Sequence, residues 1–232
     1  MAKTPASMSA TEKPGIKERI SLFLHRGRYV FWSFFGTAAV LLAGYFLYTE
    51  IDRSRRERST VLVEEAAAQL EEWKAEPPGE NRDNLEKSLG EKLDLILRKY
   101  PRQYADQRAR MVQASVLVAG EKWEQAATTY LGLAGAFPRS YLAPMALFDA
   151  AVCLENAKDE EGAIDAYGRI IDRHAKSYLA PHALFSRGRL YEAIGELDKA
   201  KADYTSLSDN HPSSNWTSFA KNRILALKIK GR

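Results

Sequence analysis

Side chains able to do chemistry are few in this chain and do not cluster. There is one cysteine, Cys153, and four histidines in 232 residues. Cys153 sits among Ala150, Ala151, Val152 and Leu154, where a thiol packs as a small hydrophobe, and a single cysteine forms no intramolecular disulfide. His174 and His211 are 37 residues apart, and the same step backwards reaches Phe137 and Tyr100. A position that takes Tyr, Phe and His is a packing position, not a metal ligand. Asp159, Glu160, Glu161 and Asp165 stand where a helix should begin, and negative charge there complements the macrodipole. Asn215-Trp216-Thr217 fits a glycosylation sequon, a pattern frequent by chance. No phosphate loop, H-E-x-x-H or nucleophile elbow is present. The expectation is no catalytic residue, no metal, no cofactor and no small-molecule substrate. The competing class, an enzyme with a helical appendage, finds no segment left for a catalytic domain.

The elements behind these residues show themselves as a repeat. Ser140-Tyr141-Leu142-Ala143-Pro144 recurs as Ser177-Tyr178-Leu179-Ala180-Pro181, each followed by one residue and then Ala-Leu-Phe. The offset is 37; one step back aligns Pro101 with Pro138 and Tyr104 with Tyr141. Periods of 20–50 residues mark stacked supersecondary units. Each unit reads as two helices, A and B. In the third, Leu184, Gly188 and Tyr191 recur at helical spacing, Gly195 breaks the pattern, Ala200, Tyr204 and Leu207 form the second stripe, and Pro212 stops it. Small residues at Ala114, Ala151 and Gly188 let helix A approach helix B at Ala126, Ala163 and Ala200, and Tyr130, Tyr167 and Tyr204 fill the space beside that contact.

This pattern of a small residue on helix A, A-x3-Y on helix B and a closing Pro resembles the tetratricopeptide repeat. The resemblance implies an all-α fold: an α-solenoid of helix hairpins that binds other proteins. Residues 101–211 make three repeats, 50–100 a juxtamembrane helix and degenerate first repeat, and 212–232 a capping helix. The 37-residue period and the S-Y-x-A-P junctions are similar to repeats of bacterial envelope proteins such as the TolA-binding coordinator and the outer-membrane assembly lipoprotein. The order of parts resembles the ancillary translocon-associated tetratricopeptide protein of the inner membrane.

Those parts begin with a membrane span. No charge lies between Arg28 and Glu50, and Tyr29 to Thr49 is 21 residues long. At ~1.5 Å per residue such a helix crosses a ~30 Å hydrocarbon core. Tyr29 and Trp32 near one end and Tyr45 and Tyr48 near the other make an aromatic belt. A cleaved signal peptide would need a small-residue cleavage site, and a lipoprotein would need Cys where Tyr45 stands; a buried soluble helix is the remaining rival. Residues 1–28 read as a cytoplasmic tail, disordered over 1–13 and carrying a short amphipathic helix at 16–24. The net charge of +4 sits entirely in residues 1–49, with six Lys/Arg against two acids. A basic excess confined there excludes nucleic-acid binding by the folded part. It also favours an N-terminus inside the cytoplasm of a single-pass inner-membrane protein, with the repeats periplasmic; Arg53, Arg55, Arg56 and Arg58 just after the span keep the opposite orientation open. Gly36, Ala39 and Ala43 form a small-residue face for helix contact in lipid.

The functional expectation is a membrane-anchored scaffold or chaperone-like adaptor, with protein or peptide partners that the resemblance places in envelope assembly or secretion. A membrane-bound regulator facing the cytoplasm is the alternative. In tetratricopeptide arrays helix A lines the concave surface. Carried over, this gives Arg108, Met111, Met145, Phe148, His182 and Phe185, with Met111, Phe148 and Phe185 as an apolar row suited to an extended or helical peptide.

Overall fold

The computed structural model describes residues 16–230; the expectation of a disordered stretch at 1–13 lies outside them. These residues form nine helices and no strand: α1 (Ile16–Ala75), α2 (Glu80–Lys99), α3 (Tyr104–Ala119), α4 (Trp123–Ala136), α5 (Ala143–Ala157), α6 (Glu160–Arg173), α7 (Ala180–Ala193), α8 (Leu197–Asn210) and α9 (Asn215–Lys230). The chain divides into two units, 1–54 and 55–232.

In the first unit no described residue of the apolar part of α1 is buried, and among the described residues it is the one helix long and apolar enough to cross a membrane. Its hydroxyls turn back onto their own helix: Ser33 Oγ donates to the Val30 carbonyl at 2.9 Å and Thr37 Oγ1 to that of Ser33 at 2.8 Å. Thr49 Oγ1 does the same to the Phe46 carbonyl at 2.8 Å, so these short hydroxyls are satisfied within the helix. Gly36, Ala39 and Ala43 are all exposed, and a Cβ added at Gly36 would meet nothing. The sequence reading separates helical stretches at 16–24, 29–49 and 62–75. A single helix runs through all three: no Pro falls between Ile16 and Ala75, and the glycines in it, Gly27, Gly36 and Gly44, are carried within the helix.

In the second unit the break at Glu76–Gly79 turns the chain into α2. Val63, Ala66, Leu70 and Trp73 of α1 pack on Leu89, Leu93 and Ile96 of α2 and on Ala105, Ala109 and Val112 of α3. From α3 onward the helices alternate as A and B, and α9 stands where a fourth helix A would. Each element starts and stops for a local reason that recurs at 37. Ser140 and Ser177 hydroxyls accept the N–H groups of Leu142 and Leu179 at 3.1 and 3.2 Å, and Pro144 and Pro181 follow in the first turn of α5 and α7. The A-to-B turn carries a left-handed residue each time, at Glu121 (φ 55°), Lys158 (φ 65°) and Gly195 (φ 83°). Helix B ends at Tyr100, Phe137, His174 or His211, with φ between −127° and −132° and the N–H bonded back one turn. Asp159 caps α6 through the Gly162 N–H at 2.9 Å.

The helix A to helix B contact is made of small residues. Ala114, Ala151, Ala126, Ala163 and Ala200 are all 0% exposed. Gly188 is buried so tightly that an added Cβ would lie 2.7 Å from the ring of Tyr204. Tyr130, Tyr167 and Tyr204 are buried beside these contacts.

Candidate partner-binding groove

The repeat brings helix-A residues of successive units side by side. Phe148 comes from α5, His182 and Phe185 from α7, and Trp216 from the first turn of α9. Their rings form a ladder. Phe148 meets Tyr167 edge-on at 5.3 Å and His182 at 4.4 Å; His182 stacks on Trp216 at 3.8 Å and 11°; Phe185 lies 5.3 Å from Trp216 and 5.7 Å from Tyr204. Such offset and edge contacts add to simple area burial.

Above the ladder lies an open groove of about 510 Å³. Phe148, Val152, His182, Phe185 and Trp216 line its apolar side, and Glu155, Asn156, Lys158, Ser186 and Arg189 its polar side. Val152 is 40% exposed, so part of the lining is free apolar surface. Burial, and then the nearby Arg189, push the His182 imidazole below its usual value, so a neutral ring stacks on the indole. Glu155 ties the polar wall together: it accepts the Tyr167 hydroxyl at 2.8 Å and pairs with Arg189 of the next unit. Burial, with Glu155 beside it, drives the Tyr167 phenol far above its ordinary value, so the hydroxyl stays a donor.

One unit on, the arrangement recurs. The Tyr204 hydroxyl donates to Glu192 at 2.8 Å, and Arg223 of α9 makes two bonds of 2.8 Å to the same carboxylate. One unit back, the equivalents of Glu155 and Arg189 are Val118 and Val152, and no ionic link is available there.

Of the six residues expected along the helix-A face, Phe148, His182 and Phe185 come together on this groove. Met111 does not. It is 7% exposed and belongs to the central core with Ala114, Ala126 and Ala127, small neighbours whose spare volume an unbranched thioether fills. Met145 packs half-buried on the same core. Arg108 is half-buried with its Nε lacking a hydrogen-bond partner, away from the groove. Glu155, Arg189 and Trp216 were not anticipated. The recurrence of Glu155 and Glu192 at 37, each twelve residues before a core tyrosine, was a legible signal for the first. Trp216 belongs to a helix whose docking no local pattern encodes.

Asp149, also on α5, is a half-buried carboxylate: desolvation raises it to about 6, and the Cys153 thiol, pushed up to about 11 by burial and by Asp149, sits one turn on. Among the described residues no three metal-ligating side chains come together.

Two family models, both described as tetratricopeptide repeat, match this chain, one over residues 111–178 and one over residues 182–214. No curated protein matches it. The matched segments begin on α3 and end between α8 and α9, and they contain every helix-A residue of the aromatic groove except Trp216.

Proposed function

We propose that this protein is a single-pass, membrane-anchored tetratricopeptide scaffold or chaperone-like adaptor of the bacterial envelope, whose repeat domain holds a peptide segment of a partner protein in the Phe148–His182–Phe185–Trp216 groove. The observation that carries the reading is the groove itself: an aromatic floor with exposed apolar surface and one polar wall, on the helix-A side of repeats of a type that mediates protein–protein binding. An aromatic floor supplies affinity through rigid area, and the Glu155–Arg189 wall supplies register. The partner belongs to the secretion or envelope-assembly machinery, which the repeat period and the order of parts support. The span at 29–49 keeps the array at the inner membrane, on its periplasmic side.

The test uses Phe148→Ala and Val152→Arg, both assayed for thermal melting and for capture of crosslinked partners from membranes. The expected result is a melting point that falls moderately for Phe148→Ala, little for Val152→Arg, and loss of the same crosslinked species in both. Phe148→Ala costing the full ~3–5 kcal/mol of a core aromatic, with Val152→Arg retaining every partner, would remove the groove assignment. The four arginines after the span support a second reading, a cytoplasm-facing regulator with the same groove. A reporter fused after Arg232 that is active only in the cytoplasm would select it.

A further inference from the structure

A second opening lies away from the aromatic ladder, between α2 and α4 above α3. It encloses about 580 Å³, with Leu89, Leu93, Val116 and Leu117 as an apolar floor and Glu86 and Asp94 as the charged lining; no basic residue lines it. Neither carboxylate has an ion-pair partner among the described residues. Gly90 contributes no side chain, and a Cβ built there would meet nothing. A mid-helix glycine lowers helix stability relative to alanine. The same position is Ala127 in the next helix B, where it is 1% exposed.

The repeat shows what such a space accepts, because the chain fills it in other ways elsewhere. In the last unit the position of Gln113 is Arg187 and that of Thr129 is Asp203. The Arg187 guanidinium donates to both Asp203 oxygens, at 2.8 and 2.7 Å, and its Nη1 lies 3.2 Å from where a Gly168 Cβ would be. Gly168 is the equivalent of Asp94, two repeats on. The middle unit carries Leu131, Ala150 and Ala166 at these three positions, all apolar, with both alanines 0% exposed. One unit therefore fills the space with its own guanidinium and one closes it with hydrocarbon. The first keeps it open, with a carboxylate at the spot beside which the guanidinium would stand.

We propose that the α2–α4 groove is a docking site for a cationic side chain, an arginine above all, carried next to apolar residues on a partner polypeptide. The partner's guanidinium takes the place that Arg187 holds in the last repeat, with Asp94 as its carboxylate, Gln113 and Thr129 as polar neighbours, and Leu93 and Val116 under its apolar flank. This site is separate from the aromatic groove and does not depend on it.

The test uses the full chain in lipid nanodiscs with labelled methyl groups at Leu93 and Val116. The probe is hexanoyl-arginine amide, set against hexanoyl-citrulline amide, its neutral isostere. The expected result is saturable shifts at these methyls with the arginine probe, about tenfold weaker with citrulline, as for a charge-assisted pair against a neutral one. Asp94→Asn, on an exposed face of α2, should erase the preference. Gln113→Arg with Thr129→Asp rebuilds the last repeat's pair inside the groove and should abolish binding of the probe. Equal binding of the two probes, a preference that survives Asp94→Asn, or no saturable shift with the arginine probe in a wild-type chain each overturns the proposal.

Discussion

The repeats 101–137 and 175–211 share one skeleton and hold it together by different means. In the later unit Tyr204, Glu192 and Arg223 form one hydrogen-bonded relay and Arg187 and Asp203 a second pair, 19% and 8% exposed. In the earlier unit the same five places hold Tyr130, Val118, Asp149 of α5, Gln113 and Thr129. The tyrosine persists because it fills the space beside the helix contact, and only its polar partner changes, to Ser115 in the first unit. A buried ion pair is costly to desolvate and often no better than hydrocarbon, and Arg187–Asp203 is such a pair inside one unit, whereas Glu155–Arg189 links two units with its arginine in solvent. The first unit carries neither pair, and both the groove at α2–α4 and the buried position of Met111 fall on that side of the array.

The sharpest way to break this comparison is to remove one charge from the later unit and its counterpart from the earlier one. Arg187→Ala strands Asp203 in a buried site and should cost about 3–5 kcal/mol. Gln113→Ala, at the equivalent place on an open groove, should stay within about 0.5 kcal/mol. Chemical denaturation of residues 55–232, a unit with cores of its own, reads both. Equal costs would mean that the two units are stabilised alike.

Asp149 gives a pH handle on the middle unit. Its carboxyl ordinarily titrates near 3.8 and is raised by burial to about 6 in the fold. Between these values the native state binds more protons than the unfolded chain, so this group's contribution to stability falls as pH rises from about 4 to about 6 and stays lost above that. The rise from 3.8 to about 6 corresponds to a cost of roughly 3 kcal/mol at pH 7. Asp149→Asn should recover much of it at pH 7 and nothing at pH 4. The difference between variant and wild type isolates Asp149 from His174 and His182, whose depressed values act in the opposite sense on acidification. A flat difference across pH 4–7 would show that the carboxylate is solvated.

The relay itself can be exchanged between units. Glu155→Val alone removes the acceptor of a buried phenol and should cost about 1–3 kcal/mol. Adding Val152→Ser imports the first unit's Val118 and Ser115 together and should return part of that cost, because the phenol regains a hydroxyl partner. A double variant no more stable than Glu155→Val alone would show that the hydroxyl does not replace the carboxylate.

How much of this was legible beforehand follows from where the period holds. From Pro101 onward the 37-residue spacing aligned small residues and tyrosines, and with them the helix pairs, their turns and the place of His174 and His211 at the end of helix B. It also brought Phe148, His182 and Phe185 to one face, because equivalent helix-A positions in stacked hairpins must be neighbours. It could not foresee Trp216 on His182, since the docking of α9 depends on tertiary packing that a lone last helix does not repeat. Nor could it foresee Met111 turning inward, a choice set by the alanines around it. The α2–α4 groove was hidden for another reason. Upstream of Pro101 the repeat's residue types are lost, and only the position of α2 shows that Asp94 and Gly168 are equivalent.

The smallest effect concerns the turn between helix A and helix B. All three units place a left-handed residue there, yet only the third uses glycine: Glu121 and Lys158 adopt φ of 55° and 65°, against 83° at Gly195. A side chain in that conformation costs roughly 1–2 kcal/mol, because Cβ crowds the following carbonyl. Glycine removes the crowding but frees the unfolded chain, which takes back about 0.4–1 kcal/mol. Lys158→Gly should therefore stabilise residues 55–232 by about 0.5 kcal/mol, which at ~2–4 °C per kcal/mol for a domain of this size raises the melting temperature by roughly 1–2 °C. Gly195→Lys, the reverse exchange in the third unit, should lower it by a similar amount. Opposite signs at the two positions would show that the three turns are one structure with different residues; a loss at both would mean that the Lys158 side chain, on the rim of the aromatic groove, contributes a contact that outweighs its backbone strain.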